Sequence, residues 1–287
     1  MDRVLVTGAT GQLGQSLQQL TKGYSEGQFF FPSKTELDIT QAETIDTYIK
    51  THQITALINA AAYTQVDAAE SQAEQAFLVN EQGVKNCIDL VEKYRLKALF
   101  FSTDYVFGAN TSEMYAESDT ISPVGVYARS KAAGEQWVLR SKVPVVLIRT
   151  AWVFSPFGKN FVKTMLHQAT QKKELKVVND QWGNPTYALD LASVCLQLLA
   201  QYPHQNEIFH VVNKGVTTWF EFAKAIMEQA QLSPVLHPVT TKDFPTAAVR
   251  PQKAKLDTTK IASYLGVEMQ NWQTALANCL QQRSNES

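Results

Sequence analysis

What this sequence lacks narrows it first. Basic and acidic side chains nearly cancel, 26 against 27, leaving a net charge of −1. Without a cationic excess to neutralise phosphates, no nucleic-acid partner is expected. Cysteine is scarce, and Cys87, Cys195 and Cys279 lie far apart with no metal-type spacing. That argues against a disulfide framework and fits a reducing compartment. No apolar run approaches the roughly 18–20 residues that cross a bilayer, so no membrane partner is expected. The N-terminus reads straight into a strand, without a charged leader and cleavage site, so no secretory signal is expected. Internal repeats, low-complexity tracts and long linkers are missing too. These exclusions leave a soluble, cytoplasmic globular protein.

What is present is a chain of 287 residues, 45% of them apolar, enough for one large domain or two modest ones with a buried core. Residues 3–7 form a short β-branched run read as a buried strand, followed by glycines and then by Leu13, Leu17 and Leu20 at helical spacing. Strands are also predicted at 29–31, 56–62, 98–103 and 145–150. Helices are predicted between them, from Thr40 (with Glu43 as a capping box), over about 80–94 and over about 126–141. Such alternation implies right-handed crossovers and a parallel sheet covered on both faces. After Thr150 the regularity weakens and aromatics, Gly and Pro become denser. A helix at 187–200 and a strand at 208–212 are expected to return to the sheet. The fold class is therefore α/β, a doubly wound parallel sheet over residues 1–150 and 187–213. A smaller α/β lobe, residues 151–186 and 214–287, would cover the carboxyl ends of the strands, where ligands bind in such sheets. The polar tail, 281–287, is expected to fray.

Gly8, Gly11 and Gly14 recur at three-residue spacing directly after the first strand, with Gln12 and Leu13 opening a helix. Glycine there permits a tight turn, close approach of a pyrophosphate and close helix–strand packing, and the helix N-terminus favours an anion. A ligand-free strand–helix turn is the competing reading. In this context the loop points to a dinucleotide. After the second strand, Ser33 and Lys34 stand where an NAD site usually carries a carboxylate. They suit a 2′-phosphate and favour NADPH, with NADH as the alternative and a solvated surface lysine as the bland reading of Lys34. Asp38 and Ile39 follow, and Ala60, Ala61 and Ala62 end the third strand with small side chains. These leave room for the cofactor, or equally serve tight packing.

Tyr127 and Lys131 sit at i and i+4 on one predicted helix face. A lysine cation ~5 Å from a phenol, at an effective dielectric of ~20, favours phenolate by roughly 3 kcal/mol, about two pKa units. Lowered in that way, the phenol becomes a usable general acid for a carbonyl under hydride attack. A strand-end hydroxyl, Thr103 or Ser102, would bond the same carbonyl oxygen; alternation along the strand favours Thr103. A polar strand terminus forming a turn is the alternative.

Together these residues resemble a specific family. Besides Gly8 to Gly14, the blocks are Glu36-Leu37-Asp38-Ile39-Thr40, Asn59-Ala60-Ala61-Ala62-Tyr63-Thr64, and Val66-Asp67 with Glu70. Ser102-Thr103-Asp104-Tyr105-Val106-Phe107, Tyr127 to Lys131 and Arg149-Thr150-Ala151-Trp152-Val153 follow, then Gly158-Lys159-Asn160-Phe161, Asp180-Gln181 and Arg250-Pro251. Nearly end to end, the chain resembles the dTDP-4-dehydrorhamnose reductases, extended short-chain dehydrogenases/reductases with a Rossmann-like sheet. The resemblance implies hydride transfer from NADPH to the C4 ketone of a dTDP-6-deoxy-4-hexulose. Tyr127 would donate the proton, Thr103 orient the oxygen and Lys131 support both. It also implies that Asp104, Tyr105 and Trp152 surround the sugar and that Arg250 meets the nucleotide phosphates. Core packing of Trp152 and a surface ion pair at Arg250 are the competing readings. Relatives carry a first-helix glutamate in a metal-dependent homodimer contact. The matching residue here is Ser16, beside Gln15, so no metal site is assigned and Mg2+ is not expected. Another nucleotide-sugar 4-ketoreductase would share every one of these motifs, and two further readings share the scaffold. One is a nucleotide-sugar dehydratase or epimerase, disfavoured because Tyr105 rather than a second carboxylate follows Asp104. The other is a non-catalytic subunit resembling the regulatory subunit of methionine adenosyltransferase, disfavoured by the intact Tyr127, Lys131 and Thr103.

Overall fold

The computed structural model describes residues 2–109 and 114–285. In chain order the elements run β1 (Val4–Thr7), α1 (Gln12–Leu20), β2 (Phe29–Phe30), α2 (Ala42–His52), β3 (Ala56–Asn59), α3 (Val66–Ala69), α4 (Ala73–Phe77), α5 (Val84–Tyr94), β4 (Lys97–Thr103), α6 (Gly125–Leu139) and β5 (Val146–Thr150). A less regular series follows: β6 (Val153–Phe154), α7 (Phe161–Gln171), β7 (Glu174–Val178), β8 (Trp182–Gly183), β9 (Thr186–Tyr187), α8 (Ala188–Ala200), β10 (Glu207–His210), β11 (Thr217–Thr218), α9 (Trp219–Gln229), β12 (Val235–Val239), α10 (Thr259–Leu265) and α11 (Trp272–Asn285).

Six strands form one parallel sheet in the order β10-β5-β4-β3-β1-β2. The chain builds toward one edge from β1 to β2 and toward the other from β3 onward, so the order reverses between β1 and β3. A crevice at such a reversal is the ligand site of open α/β sheets. The strands are apolar without interruption because both faces are covered. Val4, Val6, Ile58, Leu99, Val146 and Ile148 face α1 and α8, meeting Leu17, Leu191, Cys195 and Leu198. Leu5, Leu57, Phe100 and Leu147 face the other way, onto Ile45, Ile49, Cys87, Ile88 and Val91 of α2 and α5. Beyond the carboxyl end of β5, Phe154, Val162, Phe222, Ile226, Trp272 and Leu276 build a separate cluster from α7, α9 and α11. Within the C-terminal stretch, α10 instead sends Ile261 and Leu265 into the sheet's own core.

Several local readings differ from the structure. No capping box forms at Thr40. Asp38 Oδ1 accepts both the Thr40 amide, at 2.9 Å, and its hydroxyl, at 2.9 Å, and α2 starts at Ala42 after Gln41. The second strand ends at Phe30, one residue early, and the third at Asn59, leaving Ala60 to Ala62 in the following loop. The helix expected from residue 80 is preceded by a π-helical segment, Leu78–Gly83. The tail is helical to Asn285, and Glu286 and Ser287 lie outside the described residues. All three cysteines are buried and free. Among the described residues no helix is long and apolar enough to cross a membrane, and no group of three or more His, Cys, Asp or Glu could hold a metal ion.

Candidate active site

The glycine loop lies in the β1/β3 crevice. Gly8 has φ +68°, and a Cβ built there would sit 2.6 Å from the Ala60 carbonyl and the Ala61 amide. At Gly14 a Cβ would lie 2.4 Å from the Gly8 oxygen. Both positions require glycine, one for its dihedral angle and both for space. Gly11 N–H closes the turn onto Gly8 O at 2.9 Å and precedes α1, whose N-terminus carries no side-chain cap. The loops after β1 and β3 are joined by Thr7 Oγ1, which donates to Asn59 Oδ1 at 2.6 Å and accepts from the Ala61 amide at 3.3 Å. An uncapped helix N-terminus over a cradle that any Cβ would fill fits a dinucleotide pyrophosphate.

Not every residue read as cofactor-binding offers its side chain. Gln12 Nε2 donates to Val153 O at 3.2 Å, and its Oε1 accepts from Ser155 Oγ and Asn160 Nδ2, each at 2.9 Å. That side chain staples the glycine loop to the segment after β5, which leaves the Gln12 backbone for a phosphate. Leu13 packs on the sheet core. Ile39 is buried against Gly83, where a Cβ would meet its side chain at 2.8 Å, and its carbonyl accepts from Asn86. Lys34 is three-quarters exposed, with Nζ 3.8 Å from Asp38 Oδ2. Ser33 stands beside it at the end of β2, its hydroxyl 2.8 Å from that of Thr35.

The reacting groups expected from the sequence converge where β4 runs out. Thr103 caps the 3-10 turn Asp104–Phe107: its Oγ1 accepts from the Tyr105 amide at 3.2 Å and donates to Asp104 Oδ1 at 3.0 Å. The Thr103 hydroxyl is near enough to the Tyr127 phenol to favour its charged form. Ser102 points elsewhere; its Oγ is buried without a partner, as is Thr150 Oγ1 on the adjacent strand. Buried hydroxyls left unpaired are uncommon and mark places where a ligand can complete the bonding. Tyr105 meets Tyr127 edge-on, with ring centroids 5.6 Å apart.

Electrostatics at the Tyr–Lys pair differ from the sequence expectation. Lys131 Nζ donates to Phe101 O at 2.6 Å, away from the phenol. Burial pushes the Tyr127 pKa up to about 12, with the Asp104 charge adding and the Thr103 hydrogen bond opposing. Lys131 is itself drawn down to about 8 by burial, against the pull of Glu135. The lowering expected for Tyr127 is thus reversed. Desolvation penalises phenolate, and the ammonium that would offset it is held by a backbone carbonyl. Asp104, buried beside Thr103, is raised to about 7, chiefly by burial.

Three supports were not singled out as site residues. Glu70 Oε1 accepts the Val126 amide at 2.8 Å and so caps α6 one residue before Tyr127. Gly125, at φ +80°, admits that carboxylate, since a Cβ would meet it at 2.9 Å. Asn80 lies on the π-helical segment. Its Nδ2 donates to Tyr63 O and Ser130 Oγ, each at 3.0 Å, while its Oδ1 accepts from the Tyr63 amide. Asn80 stood at the start of the predicted helix with Asn86 further along it, so the sequence did not single it out. Glu135, one turn beyond Lys131, forms a buried two-point pair with Arg149 of β5, at 3.0 and 2.8 Å. The signal there was the i,i+4 spacing from Lys131.

Trp152 has φ +46°, a left-handed value that is costly for a bulky residue. Its indole stacks on Trp219 with centroids 3.5 Å apart, and a Cβ at Gly183 would lie 2.7 Å from it. Arg250 Nη1 and Nη2 grip Asp67 at 3.0 and 2.6 Å, and the same carboxylate accepts from the Ala248 amide. The Arg250 charge also interacts with Tyr105. Its fork is therefore engaged by Asp67, although it lies beside the tyrosines.

Comparison with known proteins adds independent findings. A family profile described as the RmlD substrate binding domain matches residues 1–285. A dTDP-4-dehydrorhamnose reductase from Aggregatibacter actinomycetemcomitans is 38% identical, covering 97% of this chain and 98% of the relative. The spore coat polysaccharide biosynthesis protein SpsK of Bacillus subtilis is 36% identical, with 99% of each chain covered. Among solved structures, a dTDP-4-dehydrorhamnose reductase from Bacillus anthracis in complex with NADP superposes with a TM-score of 0.91 at 33% identity, covering 98% of this chain and 99% of that one.

Proposed function

The chain belongs to the RmlD substrate-binding-domain family of dTDP-4-dehydrorhamnose reductases, and on that footing we propose that it reduces dTDP-4-dehydrorhamnose to dTDP-L-rhamnose with NADPH. The observation that carries the reading is the meeting of Tyr127, Thr103 and Lys131 at the carboxyl end of β4, in the same sheet as the glycine cradle. NADPH, when bound, supplies a hydride to the C4 carbon of the ketone.

The residues of the chain then have the remaining work. A phenol raised to about 12 is fully protonated at neutral pH, so Tyr127 holds the proton that the C4 oxygen must acquire. Thr103 orients that oxygen by hydrogen bonding beside the phenol. To offset the negative charge left on Tyr127 after transfer, the Lys131 ammonium would have to turn from the Phe101 carbonyl toward the phenol. Asp104 and Tyr105 adjoin these groups and would contact the sugar, with Trp152 as an apolar wall. Arg250 would meet the diphosphate by exchanging Asp67 for a phosphate, a substitution suited to its planar fork. Gly8, Gly11 and Gly14, with the backbone of Gln12 and Leu13, would cradle the cofactor pyrophosphate, and Ala60 to Ala62 would line its path. The sheet would thus carry the dinucleotide and the C-terminal elements the sugar, in a reaction of the cytoplasm.

Mixing the protein with NADPH and dTDP-6-deoxy-L-lyxo-4-hexulose tests this. One NADPH should be oxidised per sugar, with dTDP-L-rhamnose as product. Tyr127→Phe should lose most of kcat, on the order of 100-fold or more, while retaining NADPH binding. A sugar consumed without net NADPH oxidation would indicate a dehydratase or epimerase. Near-normal turnover by the Phe variant would remove Tyr127 from its role.

A further inference from the structure

We infer that Glu36 sets the balance between the two nicotinamide cofactors, its carboxylate competing with the 2′-phosphate of NADPH for the backbone amide of Ser33. The inference rests on the dinucleotide reading of the glycine cradle. In a sheet of this topology the adenosine ribose lies past the end of the second strand, where its 2′ substituent is read. In this chain that place is the turn of residues 33–38, directly after β2, which pairs with β1 and so adjoins the glycine loop.

The turn folds back on itself. Glu36 and Leu37 amides both donate to Ser33 O, at 3.1 and 3.0 Å, bringing the Glu36 side chain over the start of the turn. There its Oε2 accepts the Ser33 amide at 2.7 Å. Ser33 holds Glu36 below its ordinary pKa, chiefly through the amide bond, while the Ser33 hydroxyl lies 2.8 Å from that of Thr35. The amide is a donor that a phosphate ester would take, and here an anion already holds it. The charge count of the turn agrees. One cation, Lys34, stands among two carboxylates, Glu36 and Asp38, and its ammonium leans toward Asp38 at 3.8 Å.

The two cofactors meet this arrangement differently. A 2′-phosphate must displace the Glu36 carboxylate from Ser33 or lie against it, like charge beside like charge, with Lys34 as the compensating cation. A 2′-hydroxyl is neutral and can donate to the same carboxylate, as the ribose does to the acidic residue of an NAD site. Glu36 therefore favours NADH and Lys34 favours NADPH, two residues apart in one turn. The preference between the cofactors is then a small difference between opposed contributions, open to change by single substitutions.

The test is equilibrium titration of the protein with NADPH and with NADH separately, without sugar, followed by cofactor fluorescence. Wild type, Glu36→Gln, Glu36→Ala and Lys34→Ala are compared at low and at raised salt. Glu36→Gln keeps the shape and one acceptor for the Ser33 amide, so the turn persists. It should tighten NADPH about fivefold to tenfold relative to NADH, as removal of one nearby like charge at a solvated site predicts, and the gain should shrink with salt. Glu36→Ala should shift the ratio the same way, and Lys34→Ala the opposite way. A ratio within about twofold of wild type in both Glu36 variants, with unchanged thermal melting, would overturn the inference while leaving the cofactor reading intact. If wild-type protein binds neither dinucleotide, the cofactor reading falls and the inference falls with it.

Discussion

Lys131 shows at the scale of one residue how burial and charge oppose each other. Removal from water lowers its pKa to about 8 from an ordinary 10.5, and the Glu135 carboxylate only partly restores it. The cation proposed to support Tyr127 is therefore lost as pH rises through about 8, so on that proposal kcat/KM should show an alkaline limb there rather than above pH 10. Stability should move the other way. Between about 8 and 10.5 the unfolded chain binds a proton at this lysine that the folded chain does not, so folding is favoured as pH rises through that window. A pH series of kcat/KM alongside thermal melting reads both slopes, and an alkaline limb that stays near pH 10 would contradict the assignment. The Tyr127 and Lys131 pair was legible in the sequence because i,i+4 spacing is a local property. The direction of the Tyr127 shift was not, because it comes chiefly from burial by other elements, while the Phe101 carbonyl of β4 captures the ammonium.

Elements are held in place by a few close approaches. Helix α6 bears on the π-helical segment at Gly134, where a Cβ would lie 2.2 Å from the Asn80 carbonyl oxygen. Gly134→Ala would gain up to about 1 kcal/mol of helix propensity, but the clash forces the two helices apart. Overpacking of this kind costs roughly 1–3 kcal/mol, so the variant should unfold at lower urea concentration. It should also lose activity, because the displaced helix carries Tyr127 and Lys131; a variant as stable as wild type would show that α6 can yield. Most elements were readable from the sequence because strands buried on both faces are unbroken apolar runs and their crossover helices are amphipathic. The capping box at Thr40 was misread because the competing acceptor, Asp38, lies upstream of the residues that define such a box. The π-segment left no mark in the apolar period beyond the buried Asn80 itself.

Across the whole molecule, elements distant in the chain are joined by contacts that sequence patterns do not reveal. Arg149 and Glu135, 3% and 1% exposed, tie β5 to α6, and the Arg149 Nη1 reaches the Glu117 carbonyl at 3.3 Å. Glu135→Gln would leave a buried guanidinium without its counter-charge. Such a change costs about 3–5 kcal/mol, far more than an exposed pair, and denaturation by urea would measure it. The same substitution should move the alkaline limb of kcat/KM to lower pH, since Glu135 supports the charge on Lys131. Asp67 and Arg250 are separated by 183 positions, and Gln12 and Asn160 by 148. No local pattern could have paired them. The Gln12 staple has a consequence for anyone wishing to alter the sugar chosen by this scaffold. One amide side chain in the glycine loop satisfies Val153, Ser155 and Asn160 together. A graft that imports the later segment from a relative without its matching loop residue would remove all three bonds at the seam, and Ser155 and Asn160 would keep only their partners within that segment. The recombination boundary therefore cannot follow the chain order alone; residue 12 has to travel with residues 153–160.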